Sequence, residues 1–189
     1  IRTGWFYHPE EDTDVRTAGE LLDIYLDAVG ANASLLLNIP PDTHGRIAAP
    51  DCASLTELGT KIQQIFASNV TEKAAITADS AIAQHPIIQA VDGMADTYWQ
   101  AAYGQESDTI TLNFPKPQKV SCVVLGEHLP TGQRIESGEI WADGSKACEF
   151  TVVGHKRICR FTPVDVQTLT IKITASRTEP TLRLLEVYQ

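Results

Sequence analysis

The sequence predicts an α/β segment followed by an all-β region, and three observations carry that prediction. Apolar residues recur at helical spacing up to about residue 70, and at a period of two after residue 73. In the first part, short apolar runs alternate with the helices, which is the α/β order. The charge divides at the same place: residues 1–72 carry 4 basic and 11 acidic side chains, net −7, and residues 73–189 carry 11 and 13, net −2. The domains expected are therefore 1–72 and 73–189.

Gly4-Trp5-Phe6-Tyr7-His8-Pro9 reads as a short strand. Leu21, Ile24, Tyr25, Ala28 and Val29 then share one face of a helix over about 16–29, with Gly30 where a glycine cap belongs. Ser34-Leu35-Leu36-Leu37-Asn38-Ile39, closed by Pro40-Pro41, reads as a strand buried on both faces. Leu55, Leu58, Ile62, Ile65 and Phe66 mark a second helix, with Pro50 at its first turn and Asp51 favouring the helix dipole. Two parallel strands leave open edges, so this unit is expected to be the last piece of a larger barrel or sheet. Beyond residue 73, Ile110-Leu112-Phe114, Cys122-Val124 and Leu169-Ile171-Ile173 alternate with their neighbours. Asp143-Gly144, Thr131-Gly132 and Thr162-Pro163 supply turn signals between short strands, the pattern of a β-sandwich or jelly roll.

Composition narrows the function. The 189 residues include 43% apolar and 21% charged side chains, ordinary globular usage. A net charge of −9 repels phosphate backbones and argues against nucleic acid as the main partner. No apolar run approaches the ~20 residues of a membrane span. No signal or transit segment is visible, and the first residue is Ile1, so the N-terminus reports no address. Cys52, Cys122, Cys148 and Cys159 lack metal-ligand spacing and read mostly as buried free thiols, with a Cys122–Cys159 bridge left open. Asn32-Ala33-Ser34 and Asn69-Val70-Thr71 match the glycosylation acceptor pattern, which is common by chance.

Two groups of motifs carry a resemblance. Gly4-Trp5-Phe6-Tyr7-His8-Pro9-Glu10-Glu11-Asp12, followed by Leu35-Leu36-Leu37-Asn38-Ile39-Pro40-Pro41-Asp42-x-x-Gly45-Arg46-Ile47, resembles the C-terminal end of a glycoside hydrolase family 29 α-L-fucosidase barrel. Ala90-Val91-Asp92-Gly93-x-x-Asp96-Thr97-Tyr98-Trp99, Leu129-Pro130-Thr131-Gly132-Gln133-Arg134-Ile135 and Leu184-Leu185-Glu186-Val187-Tyr188 are similar to the discoidin-like (F5/8 type C), galactose-binding-like sandwich that follows it in one branch of that family. The resemblance implies the last two strand–helix units of a (β/α)8-like barrel, then a jelly-roll sandwich. It implies a retaining exo-α-L-fucosidase acting on a fucosylated oligosaccharide or glycan. The nucleophilic Asp and the acid/base Glu would lie upstream of Ile1, the fragment alone would be inactive, and the protein would be periplasmic or secreted.

The candidate residues follow from these expectations. Trp5 and His8 sit where barrel active sites form, and an indole offers fucose an apolar wall; otherwise the aromatics fill core. Strand alternation would set Trp5 and Tyr7 on one side, Phe6 and His8 on the other. Asn38, at the end of the next strand, could bond a sugar hydroxyl or order the Pro40-Pro41 turn. Glu10, Glu11, Asp12 and Asp14 occupy a loop where catalytic carboxylates often lie, yet an acidic run before a helix is also a dipole-friendly N-terminus, and that reading is preferred. Asp92, Asp96, Thr97 and Glu186 are calcium candidates through the resemblance, with Met94 where an oxygen-bearing residue is often found. Trp99 and Trp141 default to core. Glu127, His128, Gln133 and Arg134 flank the Leu129–Ile135 loop and are expected at an interface with the barrel. No redox cofactor is implied. The alternatives are a non-catalytic carbohydrate-binding module and a discoidin-type interaction module.

Overall fold

The structure is a computed structural model that describes all 189 residues. Two helices precede eight strands. Helix α1 (Ala18–Val29) starts at a reciprocal cap: the Glu20 amide donates to Thr17 Oγ1 at 3.3 Å and the Thr17 amide donates to Glu20 Oε2 at 2.7 Å. Such a box satisfies two of the donors that every helix start leaves free. Helix α2 (Ala49–Ile65) begins with Pro50 in its first turn. The helices pack together around Ala18, Leu21 and Leu58, with Ile1 completing a small core. Neither is long and apolar enough to cross a membrane.

The strands expected at Gly4–Pro9 and Ser34–Ile39 are not formed: both segments lack ladder pairing, and Leu36 is 93% exposed. An apolar run becomes a strand only where a neighbour takes its backbone groups, and no strand of this chain lies alongside either segment.

The β region comprises β1 (Ala75–Ala78), β2 (Trp99–Gln100), β3 (Asp108–Gly126), β4 (Ile135–Ala142), β5 (Ser145–Phe150), β6 (Arg157–Ser176), β7 (Thr181–Leu182) and β8 (Leu184–Tyr188). Every pairing between them is antiparallel. β3 and β6 are long partners that bend together. Residues 108–113 pair with 168–173, and the ladder shifts register before Gln118–Leu125 pair with Arg157–Val166. Pro115 and Pro117 fall in that shift, where a missing donor costs no ladder bond. Thr162-Pro163, expected to separate two strands, lies inside β6 for a similar reason. The first half of β3 pairs with β1 and its second half with β8, while the second half of β6 pairs with β4, which pairs with β5. The two halves of this folded sheet enclose one core that includes Trp99, Ile110, Leu125, Ile171 and Val187.

Gly138 permits the tightest packing there. A Cβ at this position would overlap the Phe150 ring and lie 2.6 Å from the Lys172 carbonyl oxygen. Outside the sheet, Cys122, Val124 and Tyr188 form a second apolar patch against Ile65 and Phe66. The Phe66 and Tyr188 rings meet edge to face, 5.2 Å between centroids. The connection continues as backbone pairing: the Val70 amide donates to the Val187 carbonyl at 2.8 Å, and the Val187 amide donates to Thr71 Oγ1 at 2.7 Å.

All four cysteines are free thiols; Cys122 and Cys159 are buried, Cys148 is half-buried and Cys52 is exposed. A Cys122–Cys159 bridge is ruled out by the pleat. Cys159 opposes Val123, whose side chain enters the main core, whereas Cys122 faces the helices.

Candidate functional site

The aromatic segment Trp5–His8 is organised around a buried cation. The Arg2 side chain is fully enclosed. Its Nε donates to both Asp51 oxygens at 3.1 Å, and Nη2 reaches Asp51 Oδ2 at 2.5 Å. Asp51 is equally enclosed, so each charge offsets the other's desolvation. The same guanidinium donates to Asp12 Oδ1 at 2.7 Å and to the His8 carbonyl at 3.3 Å. The Tyr7 ring lies against it, 4.8 Å from the guanidinium carbon to the centroid, and the Tyr7 hydroxyl donates to Asp12 Oδ2 at 3.4 Å. The Asp51 and Asp12 carboxylates hold the Arg2 pKa above its ordinary value, with the Asp51 hydrogen bonds the largest cause. Burial first, then the Asp12 charge, pushes the Tyr7 phenol up. Asp51 therefore does more than meet the helix dipole: it ties the aromatic segment to α2.

The other side of the segment is tied to residues 34–39. Asn38 Nδ2 donates to the Trp5 carbonyl at 2.9 Å, and the Ile1 amine donates to the Asn38 carbonyl at 2.9 Å. Asn38, half-buried, thus clamps the backbone of the aromatic segment through its amide nitrogen and its own carbonyl. Clamped from both sides, Trp5 is 69% and Phe6 72% exposed, and His8 is exposed. The alternation expected of a strand does not apply: Trp5, Phe6 and His8 are all solvent-facing, and only Tyr7 turns inward. Pro9–Glu11 forms a short 3₁₀ turn, with Glu10 near His8 Nδ1 at 3.8 Å. The site thus offers a large apolar ring surface beside an imidazole, which suits the apolar face and hydroxyls of a sugar.

The calcium candidates are arranged differently. Asp92 accepts from the Thr97 hydroxyl at 2.7 and 2.9 Å and from the Met94 amide at 2.9 Å, closing its own turn. Asp92 and Glu186 line one small cleft together with Glu72. No three His, Cys, Asp or Glu side chains are grouped to hold a metal ion.

The residues flanking the Leu129–Ile135 loop hold that loop to its own sheet. Glu127 is fully buried and accepts three backbone donors: Arg134 N at 2.7 Å, Ile135 N at 2.9 Å and Gly154 N at 2.6 Å. Arg134 Nη1 donates to the Glu179 carbonyl at 2.7 Å. His128 stacks on Tyr98, which stacks on His85, each pair 3.9 Å between centroids. Burial, then the neighbouring His85, lowers the His128 pKa. Gln133 is half-buried and Leu129 exposed. Contact between helices and sheet is made elsewhere, by the Phe66–Tyr188 patch and by residues 154–158 against 30–32. There the His155 amide donates to Asn32 Oδ1 at 2.6 Å and the Ile158 amide to the Gly30 carbonyl at 3.0 Å.

Trp99 is wholly buried, as expected. Trp141 is only half-buried, with Lys172 Nζ 4.1 Å above its ring and Glu139 accepting from its indole at 2.8 Å. Sequence reasoning missed Arg2 and the His85–Tyr98–His128 stack. A lone arginine ahead of an aromatic run carries no periodic signal, and the three stacked rings come from separate loops.

Comparison with known proteins gives a consistent picture. Residues 1–64 match the family model described as Alpha-L-fucosidase. Over its whole length the chain is 30% identical to Alpha-L-fucosidase 1 of Arabidopsis thaliana, of which it covers 39%. It superposes on the crystal structure of an α-L-fucosidase from Bacteroides thetaiotaomicron with a TM-score of 0.94 at 30% identity, covering 100% of this chain and 43% of that one. A Ruminococcus gnavus GH29 fucosidase solved in complex with fucose gives 0.91 at 28% identity, covering 100% and 40%. The chain spans about two fifths of the proteins it matches.

Proposed function

We propose that this chain, which belongs through residues 1–64 to the α-L-fucosidase family and aligns end to end with part of its members, supplies the fucose-facing aromatic rim and the ancillary β domain of a retaining exo-α-L-fucosidase. Residues 1–72 are read as the last two strand–helix units of a (β/α)8-like barrel, and residues 73–189 as a galactose-binding-like jelly roll. The nucleophilic Asp and acid/base Glu, which retaining glycosidases hold about 5–5.5 Å apart, are assigned upstream of Ile1. The substrate is a terminal α-fucosyl group on an oligosaccharide or glycan, and the location is periplasmic or secreted. The carrying observation is the exposed Trp5 indole on a segment clamped by Arg2 and Asn38. A segment whose backbone is held by hydrogen bonds on both sides keeps its place without the ligand, so less ordering entropy opposes binding. His8 is assigned to a fucose hydroxyl. Asn38 is assigned to holding the Trp5 backbone.

Hydrolysis of an aryl α-L-fucoside tests this. The full-length protein containing these residues should turn over with retained anomeric configuration, and the 189-residue chain alone should not. In the full-length protein, Trp5→Ala should remove about 1–3 kcal/mol of fucose binding. Turnover by the chain alone, inversion by the full-length protein, or unchanged fucose affinity in the variant would overturn the reading.

A further inference from the structure

Three rings from separate loops meet at the loop end of the β region. His85, Tyr98 and His128 stack in that order, with centroids 3.9 Å apart at each step, and the Tyr98 and His128 rings lie within 10° of parallel. All three residues are half-buried. The backbone ties each end of the stack to its own loop. The His85 amide donates to the Ile82 carbonyl at 3.0 Å, and the Gln100 amide donates to the His85 carbonyl at 3.1 Å. The His128 carbonyl accepts from the Thr131 amide at 3.1 Å and the Thr131 hydroxyl at 2.8 Å. Those two bonds close the short 3₁₀ turn Leu129–Thr131, whose Leu129 side chain is exposed. The His128 ring therefore joins this turn to the loops that carry His85 and Tyr98.

The two imidazoles are not equivalent. His85 Nδ1 has Gln89 Oε1 at 3.2 Å. His128 Nδ1 is enclosed and has no hydrogen-bond partner. A neutral ring tolerates this by keeping its proton on Nε2 and leaving Nδ1 as an unpaired acceptor. A protonated ring does not, because both nitrogens then carry hydrogen and Nδ1 becomes a buried donor with no acceptor. The surrounding charges add to the cost. Arg183 and Arg134 are positive, His85 adds a further charge once protonated, and Asp96 alone opposes them. Glu127, next in the chain, is committed to the amides of residues 134, 135 and 154. The Tyr98 face attracts an imidazolium, yet the balance runs the other way: burial first, then His85 and Arg183, holds the His128 pKa below its ordinary 6.5.

We propose that the His85–Tyr98–His128 stack is a pH-sensitive latch, closed while His128 is neutral and released when it takes a proton, which governs the mobility of the Leu129–Thr131 turn. Protonation is relieved when the imidazole swings off Tyr98 into water, where Nδ1 finds an acceptor. The turn then loses its tie to the neighbouring loops. A freed ring binds the proton at its ordinary 6.5, more readily than the stacked ring. The closed form is therefore fully favoured above pH 6.5 and loses ground as the pH falls below it.

NMR of the histidine rings and amide exchange of the 189-residue chain, between about pH 5 and pH 8, test the latch. At the upper end, His128 should carry its single ring proton on Nε2. Protection of the Thr131 amide, corrected for its intrinsic exchange rate, should begin to fall near pH 6.5. It should drop by up to about tenfold per pH unit, the limit for one proton, and level off where the His128 ring signals titrate. His128→Phe keeps a stacking ring that takes no proton, so Thr131 protection should no longer depend on pH. His85→Phe removes one neighbouring charge, so His128 should titrate closer to 6.5 and the window should narrow. A His128 ring that titrates at or above 6.5, or that carries its neutral proton on Nδ1, would overturn the proposal. So would pH-independent Thr131 protection in the parent chain, or an unchanged pH response in His128→Phe.

Discussion

Replacing Glu127 by Gln tests whether one buried carboxylate organises the loop end of the β region. Its Oε1 takes the Arg134 and Ile135 amides and its Oε2 takes the Gly154 amide, all in a site with no solvent access. A glutamine of the same shape can keep its oxygen toward Arg134 and Ile135, but its NH2 then faces the Gly154 N–H. Donor would meet donor, and the Gly154 amide would be left without a partner. An orphaned buried donor costs about 1–3 kcal/mol, and the two remaining bonds weaken from charge-assisted to neutral, about 0.5–1 kcal/mol each. The expected loss is therefore about 2–5 kcal/mol. Flipping the amide orphans two donors and does no better. Urea unfolding of the 189-residue chain reads this directly: with a slope of about 2 kcal/mol/M the midpoint should fall by about 1–2.5 M. Hydrogen exchange should quicken first at Gly154, Arg134 and Ile135. A midpoint shift worth less than about 0.5 kcal/mol, the range of an ordinary surface change, would refute the reasoning.

Two further perturbations probe other parts of the molecule. Gly138→Ala drives a methyl into the Phe150 ring and the Lys172 carbonyl, so thermal or urea unfolding should show a loss of about 1–3 kcal/mol; a neutral result would mean that β4 and β5 are looser than described. The Gly104 amide, at 2.8 Å, and then the Thr178 hydroxyl hold the Glu179 carboxyl down at about 2, against an ordinary 4.5. Because the unfolded chain binds that proton more readily, the contribution is complete above pH 4.5 and is lost as pH falls toward 2. Glu179→Gln should therefore be less stable than the parent at pH 6, with the gap closing across that window; a gap constant down to pH 2 would exclude the assignment.

How much was legible in advance depended on whether the deciding interaction was local. Helix α1 was readable because Thr17, Glu20 and the apolar face of Leu21 lie within a few turns of one another. The inward and outward positions of β3 and β6 were readable because a strand alternates its side chains whatever pairs with it. Trp5–Phe6–Tyr7–His8 was found by motif, and Asp92, Asp96, Thr97 and Glu186 by resemblance, but neither method gave the geometry that the folded chain imposes on them. Asp51 was identified only as a dipole partner because Arg2, its real counterion, lies 49 residues away. Glu127 and Arg134 read as interface residues because polar side chains around an apolar loop look like a rim; the contacts that folding adds within the β region, Gly154 to the buried Glu127 and the Glu179 carbonyl to the half-buried Arg134, come from distant parts of the chain.

The sequence by itself determined the helices, the pleat of the long strands and the likeness of the first 64 residues to fucosidases, since propensity, period and motif all act over short spans of chain. Tertiary structure alone decided that Gly4–Pro9 and Ser34–Ile39 find no pairing strand within this chain, that Pro163 sits inside β6 without ending it, and that Cys159 enters the main core and turns away from Cys122. Each of those outcomes depends on which backbone or side chain arrives from far along the chain. A buried charge, an open strand edge or a thiol cannot announce its partner in one dimension.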